Sequence, residues 1–161
     1  SSQMIAIPGG FSGGDEPEGS AKFITAFFRN PRITEAVRKL LQVQDGLMVG
    51  ICNGFQALIK LGLLTHGDIC DMEENSPTLT FNSVGRHQSM LVRTRVACNR
   101  SPWLSRMEVG YIFTVPVSHG EGRFIADDRA LTKLLANCQV ATQYVKLEGM
   151  ATREIRYKPH P

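Results

Sequence analysis

VGICNGFQ, residues 49–56, is the stretch of sequence that decides the fold of this chain. The apolar run of residues 46–51 leads into it and predicts a buried strand. Residues 55–61 follow with helical character and stop near Gly62. The small residues between the two segments predict a sharp strand-to-helix turn with Cys52 at its apex.

Cys52 has the surroundings of a nucleophile elbow. Gly50 and Gly54 stand two residues before and after it, and glycines relieve crowding where a backbone folds back on itself. A helix that starts just beyond Cys52 favours its thiolate form and offers backbone N–H groups to a developing oxyanion. From spacing alone, a buried core cysteine is an equally open interpretation.

A second glycine-rich loop, PGGFSGGD at residues 8–15, follows the apolar run of residues 4–7. Glycines directly after a strand let the backbone approach a ligand closely, although an ordinary turn has the same composition. The loop lacks the Gly-Lys-Ser/Thr of a Walker motif. Because the carboxyl ends of parallel strands meet at one edge of a sheet, we expect this loop and Cys52 to line the same crevice.

The remaining pattern is that of a single α/β domain over residues 1–161, with parallel early strands and partly antiparallel later ones. Thr34 is a candidate helix N-cap. Helices are predicted over residues 21–28, 34–41 and 127–137, and strands over residues 79–83, 89–97, 111–117, 140–145 and 153–157.

Composition argues against several functional classes. The net charge of +3 comes without a dense basic stripe, so we expect no nucleic-acid partner. Apolar runs are far shorter than the roughly 20 residues of a membrane span. The four cysteines form no CxxC pair, which excludes a zinc ribbon and predicts reduced thiols in the cytoplasm. Cys70, Cys98 and Cys138 are then packing or surface residues.

The segment SHGEGRF, residues 118–124, places a histidine and a glutamate between glycines. His119 and Glu121 have the residue types of a base and its orienting acid, but a lone histidine is also common as a packed residue. His66 and His87 lie in polar, turn-like surroundings and are interpreted as surface or structural residues. His160 lies in KPHP at residues 158–161.

Five segments together resemble the glutaminase domain of the phosphoribosylformylglycinamidine synthases, in particular their long fused form. This domain is a class I (triad) glutamine amidotransferase. The segments are PGGFSGGDEPEGS at 8–20, GICNGFQALIKLGLL at 50–64, NSVGRHQSMLVRTRV at 82–96, PVSHGEGRF at 116–124 and QVATQYV at 139–145.

The resemblance implies a flavodoxin-like sandwich whose mixed, mostly parallel sheet carries helices on both faces. It implies that glutamine is hydrolysed to glutamate and ammonia through a cysteine thioester. The ammonia would pass to a synthetase domain, in the same chain or a partner chain, that makes formylglycinamidine ribonucleotide for purine biosynthesis. No cofactor or metal is implied in this domain; ATP and Mg belong to the synthetase domain.

By the same resemblance, Cys52 is the nucleophile, and the N–H after it forms the oxyanion hole with Gly10 or its neighbour. His160 is the catalytic histidine, or else KPHP stands where the family has an NPNGS-type segment; in either case His119–Glu121 is not the triad pair. The implied substrate-binding residues are Gly9, Gly10, Phe11, Asn53, Gln56 and His119.

Two other interpretations compete with this one. The family's first strand and the helix after it are missing before Met4, the segment between QVATQYV and the late histidine motif is far shorter than in the family, and no glutamate follows His160. The chain is therefore expected to be truncated at both ends. A truncated, inactive remnant would only dock to a synthetase domain. A flavodoxin-like nucleotide or flavin binder would need a phosphate loop richer in serine and threonine.

Overall fold

The structure is a computed structural model that describes residues 2–10 and 21–145. Helices and strands are interspersed along these residues, so the α/β class is confirmed. The chain divides into two compact units, Ser1–Leu79 and Thr80–Pro161, and each is described by itself. A single domain over residues 1–161 stays a prediction.

The first unit pairs its two early strands in parallel, as the sequence predicts. Met4 lies opposite Leu47, and the register continues to Ile7 opposite Gly50. The first strand ends just before Pro8, and the second ends at Gly50, because proline and glycine interrupt regular strands. The elements are β1 (Met4–Ile7), α1 (Lys22–Phe28), α2 (Pro31–Arg38), a π-helical turn (Lys39–Val43), β2 (Leu47–Gly50), α3 (Asn53–Lys60) and β3 (Thr78–Thr80), which reaches the division between the units.

The core of this unit is apolar and draws on β1 and all three helices, and Met48 of β2 packs against it. Leu61, at the end of α3, is fully buried, and Val37 of α2 is nearly so. Burying side chains of this size contributes about 1.5–3 kcal/mol each. The core cluster is Ile7, Phe28, Val37, Leu58, Leu61 and Ile69.

Helix α2 begins three residues before the predicted N-cap, so the assignment of Thr34 to that position is wrong. Asn30 caps the helix, since its side chain accepts a hydrogen bond from the Arg32 N–H at 3.0 Å, and Pro31 occupies the first helical position. Asn before Pro is a strong start signal, because proline lacks the N–H that a first turn leaves unpaired. Thr34 lies inside the helix and donates to the Phe28 carbonyl at 2.8 Å.

The second unit contains an antiparallel ladder of three strands, which lie in the spatial order Ile112–His119, Gln88–Val96 and Thr142–Val145. Its middle strand buries one face, with Val92, Thr94 and Val96 inside, as the alternating sequence predicts. Strand pairing is therefore mixed, and the longer ladder is antiparallel. The elements are β4 (Gln88–Val96), β5 (Ile112–His119), β6 (Arg123–Ile125), α4 (Asp128–Ala136) and β7 (Thr142–Val145).

This unit contains one strand that the sequence did not predict. β6 was not expected, since its three residues are too short to show a period. The predicted strand over residues 153–157 lies outside the described residues. Among the helices that the structure describes, none is long and apolar enough to cross a membrane.

Helix α2 is tied to the loop after α3 by an ion pair. Arg38 Nε donates to Asp68 Oδ1 at 2.8 Å, and Arg38 Nη2 donates to the Ile69 carbonyl at 3.2 Å. The hydrogen bond from Arg38 holds the pKa of the Asp68 carboxyl below its usual value; partial burial opposes this shift, and the Ile69 N–H adds to it. The unfolded chain therefore binds the Asp68 proton more readily than the folded one.

We predict that Asp68→Asn lowers the melting temperature slightly at neutral pH and has less effect in acid. The native pKa is depressed, so the stabilisation is fully present above the unfolded value of about 3.9. It is lost as the pH falls through the lower, folded value. Thermal unfolding of both proteins over this acid range checks the prediction. Glu74→Gln, at another exposed acid, is the control, and an Asp68→Asn effect that stays constant with pH would contradict it.

Candidate active site

Cys52 joins β2 to α3 in a backbone conformation that is rare for a side-chain-bearing residue. Its φ is 56° and its ψ is −113°, a region that costs of order 1–3 kcal/mol. The turn is closed by the Gly54 N–H, which donates to the Ile51 carbonyl at 2.9 Å. The Cys52 thiol is free and exposed. The interpretation of Cys52 as a buried core cysteine is therefore wrong, and the predicted strand–turn–helix is present.

The glycines on either side of Cys52 are required by close backbone contacts. A Cβ on Gly54 would collide with the Ile7 carbonyl at the end of β1. A Cβ on Gly50 would collide in turn with the Gly54 carbonyl. The first turn of α3 thus packs directly on the end of the parallel pair, at a separation that only glycine permits.

The glycine loop after β1 reaches the Cys52 turn, as the order of strands and loops predicts. A Cβ on Gly9 would lie 2.8 Å from Cys52 Cβ and 3.5 Å from its Sγ, so the Gly9 backbone itself passes close to the thiol. Gly10 follows with φ 119°, which side-chain-bearing residues rarely adopt. The two glycines and Cys52 therefore share one site.

Asn53 fastens this loop to the helix. Asn53 is 4% exposed, and its side-chain amide nitrogen donates to the Gly10 carbonyl at 2.8 Å. The bond fixes the orientation of a peptide group next to the thiol. The structure thus shows Asn53 in a supporting role, and its predicted contact with substrate stays a prediction.

The remaining predicted residues of this region divide into two groups. Gln56 is half-buried one helical turn beyond Cys52, and its N–H donates to the Cys52 carbonyl at 3.1 Å. Phe11 and His160 lie outside the described residues. Within residues 2–10 and 21–145, no group of three or more His, Cys, Asp or Glu side chains converges to hold a metal ion.

His119 ends β5 in the second unit and is held by a residue that sequence reasoning missed. Its Nδ1 lies 2.9 Å from the amide oxygen of Asn82, which is 5% exposed. Asn82 also donates to the His119 carbonyl at 2.8 Å. The only sequence signal for Asn82 was its place at the start of NSVGRHQ, because His119 and Gly122, which it contacts, lie about forty residues further along. His66 and His87 are exposed, as expected.

The structure corrects the interpretation of two cysteines. Cys98 and Cys138 form a disulfide, with Cα atoms 5.7 Å apart, and are not separate reduced thiols. The antiparallel pairing of β4 with β7 brings them together, since the Ala97 N–H donates to the Ala141 carbonyl at 2.9 Å. A sequence separation of 40 residues gives no local signal for this pairing.

Cys70 is the second free thiol, and it differs from Cys52 in its surroundings. It is half-buried, and this burial raises the pKa of its thiol. The carboxylates of Asp68 and Asp71 raise it further, because they oppose a negative thiolate. Less thiolate is therefore available at neutral pH, and the thiolate is the reactive form.

We predict that iodoacetamide alkylates Cys52 several-fold faster than Cys70 at neutral pH without reductant. Cys52 is exposed, whereas Cys70 is half-buried and its thiol is harder to deprotonate. Mass mapping of cysteine peptides over time gives both rates, and the denatured chain is the control, in which the rates should converge. Faster labelling of Cys70 in the folded protein would contradict the prediction.

We predict that Gly9→Ala slows alkylation of Cys52 and destabilises the protein by about 1–3 kcal/mol, the usual range for overpacking. The added methyl group would crowd the Cys52 side chain. Gly67→Ala is the matched control: φ is +80° there, but nothing lies within 4 Å. It should lose stability through backbone strain and leave the Cys52 rate unchanged. Equal alkylation rates in both variants would show that Gly9 does not approach the thiol.

Comparison with known proteins places this geometry in a family. Phosphoribosylformylglycinamidine synthase subunit PurQ of Salinibacter ruber is 35% identical over 151 residues, which cover 94% of this chain and 57% of that protein. The same subunit of Koribacter versatilis is 33% identical, over 93% of this chain and 58% of that protein. The chain thus spans little more than half the length of these relatives.

A solved structure and a family profile agree with these relatives. The structure of PurLQS from Thermotoga maritima superposes with a TM-score of 0.63 at 29% identity, covering 89% of this chain and 56% of that one. The profile of the CobB/CobQ-like glutamine amidotransferase domain matches residues 1–160. The chain therefore belongs to the CobB/CobQ-like glutamine amidotransferase domain family.

Proposed function

We propose that this chain is the glutaminase part of a phosphoribosylformylglycinamidine synthase. It hydrolyses glutamine to glutamate and ammonia, and the ammonia is used to make formylglycinamidine ribonucleotide in purine biosynthesis. The observation that carries this proposal is the exposed Cys52 thiol at a strained strand-to-helix turn, against which the Gly9 backbone packs. An exposed thiol in this setting favours an enzyme over an inert docking module.

In the proposed reaction, Cys52 Sγ attacks the carboxamide carbon of glutamine. A carbon–sulfur bond forms, the carbon–nitrogen bond breaks, and ammonia leaves after its nitrogen gains a proton. Water then adds to the thioester, releasing glutamate and restoring the thiol. Both steps pass through an oxyanion, which backbone N–H groups at a helix start can stabilise. The N–H of Asn53 and the Gly10 segment are the donors that we assign.

Proton transfer in both steps requires a base, which the family resemblance assigns to His160. By the same resemblance, we propose that the residues that bind glutamine are Gly9, Gly10, Phe11, Asn53, Gln56 and His119. Specificity for glutamine then depends on the shape of the site and on hydrogen bonds from this chain, since no cofactor is assigned to this domain. ATP and Mg belong to the synthetase part of the enzyme.

The partner in this proposal is that ATP-dependent synthetase, on a separate subunit or in the same chain. The relatives described above are named as subunits of that synthase. These names support a separate subunit; the fused arrangement stays a prediction. Cytoplasmic localisation, without nucleic-acid or membrane partners, follows from the same proposal.

We predict that Cys52→Ala abolishes glutamine-dependent synthesis of the amidine but preserves synthesis from added ammonium. The loss in kcat should be roughly a thousandfold or more, because nothing else supplies the nucleophile. The assay follows amidine formation by the complete enzyme, with its synthetase part, from each nitrogen source. Cys70→Ala is the matched control and should retain both activities. Amidine formation from glutamine by the Cys52→Ala enzyme would contradict the proposal.

A further inference from the structure

Asn82 is the centre of a hydrogen-bond cluster in the second unit. Its amide nitrogen donates to the carbonyls of His119 and Arg86, at 2.8 and 3.0 Å. Its amide oxygen lies 2.9 Å from His119 Nδ1 and accepts the Gly122 N–H at 3.3 Å. Its own backbone N–H donates to the Gly120 carbonyl at 2.8 Å. Through its side chain and its backbone, Asn82 thus contacts His119 at the end of β5 and both Gly120 and Gly122 in the turn that follows.

These contacts fix which way the amide faces. Two carbonyl oxygens, which only accept, lie at one end of the group, so that end is the nitrogen. A backbone N–H, which only donates, lies at the other end with the His119 ring, so that end is the oxygen. An amide oxygen accepts hydrogen bonds and donates none. His119 Nδ1 is therefore the donor and carries a proton.

Gly122 holds the ring from a second side. A Cβ on Gly122 would collide with the His119 ring atoms Cε1 and Nδ1. The backbone of Gly122 therefore lies against the imidazole while its N–H is bonded to the same amide oxygen. The ring has little room to rotate away from Asn82.

We propose that Asn82 is a positioning residue that holds neutral His119 as the tautomer with its proton on Nδ1. Nε2 is then the acceptor of the ring. Any hydrogen bond that neutral His119 makes to substrate through Nε2 is one that the ring accepts from a donor such as an N–H group. The link to glutamine rests on the proposed function: its ammonium and carboxamide groups are N–H donors of this kind.

Nitrogen NMR of the histidine side chains tests the tautomer without any activity. In the native protein at a pH where His119 is neutral, we expect the proton on Nδ1. In Asn82→Ala the signal should move toward the tautomer with its proton on Nε2. Asn75→Ala, at an exposed asparagine, is the control and should leave the spectrum unchanged. A native ring with its proton on Nε2 would overturn the proposal, even if Asn82→Ala fails to fold.

Asn82→Asp separates the two functions of the amide. A carboxylate still accepts from His119 Nδ1 but donates nothing to the His119 and Arg86 carbonyls. We expect the Nδ1–H tautomer to survive in this variant while the turn loses stability. A shift of the ring to Nε2–H in Asn82→Asp would mean that the donated bonds, and not the accepted one, determine the tautomer.

The link to glutamine is tested by kinetics of the complete enzyme. We expect Asn82→Ala to raise KM for glutamine several-fold, with a smaller change in kcat and unchanged use of ammonium. A tautomer shift with unchanged KM would overturn the connection to substrate. Failure of the proposed function is distinct, since the native enzyme would then release no ammonia from glutamine, whatever the NMR shows.

Discussion

The close approach of Gly54 to the Ile7 carbonyl is the constraint on which the candidate site depends. It brings the first turn of α3 against the end of β1, and this contact leaves Cys52 at the apex of the turn with positive φ. The strain is offset by the packing of α3, whose Ala57, Leu58 and Ile59 are buried. A rigid core thus holds an exposed thiol in a conformation that an isolated loop would not keep.

Two buried asparagines fulfil the same structural function in the two units. Asn53 bonds to the Gly10 carbonyl, and Asn82 bonds to the backbone of the turn after β5. A side-chain amide carries the same donor and acceptor as a peptide group, so it can satisfy buried backbone groups that no strand or helix reaches. A glycine-rich loop can approach a ligand closely, but its backbone groups lack the regular hydrogen bonds of a strand or helix. The side-chain amides of Asn53 and Asn82 supply hydrogen bonds to such backbone groups.

The sequence predicted what is decided locally. The bounds of β1 were predicted to the residue, because an apolar run meets proline and glycine at residues 8 and 9. The turn at Cys52 followed from its flanking glycines. Thr34 was chosen as a cap because it starts an apolar period, although Asn30 before Pro31 is the stronger signal. The Cys98–Cys138 bond and the role of Asn82 depend on strand pairing between distant residues, which no local pattern contains.

The choice of asparagine over aspartate at residue 53 follows from its position beside the Cys52 thiol. A carboxylate there could not donate to the Gly10 carbonyl, so the loop would lose its fixed peptide orientation. It would also place a buried negative charge next to Cys52, where it would disfavour the thiolate form. The carboxylates near Cys70 have this effect and raise the pKa of its thiol. An amide therefore orients the loop beside Cys52 without adding a charge that would make its thiol less reactive.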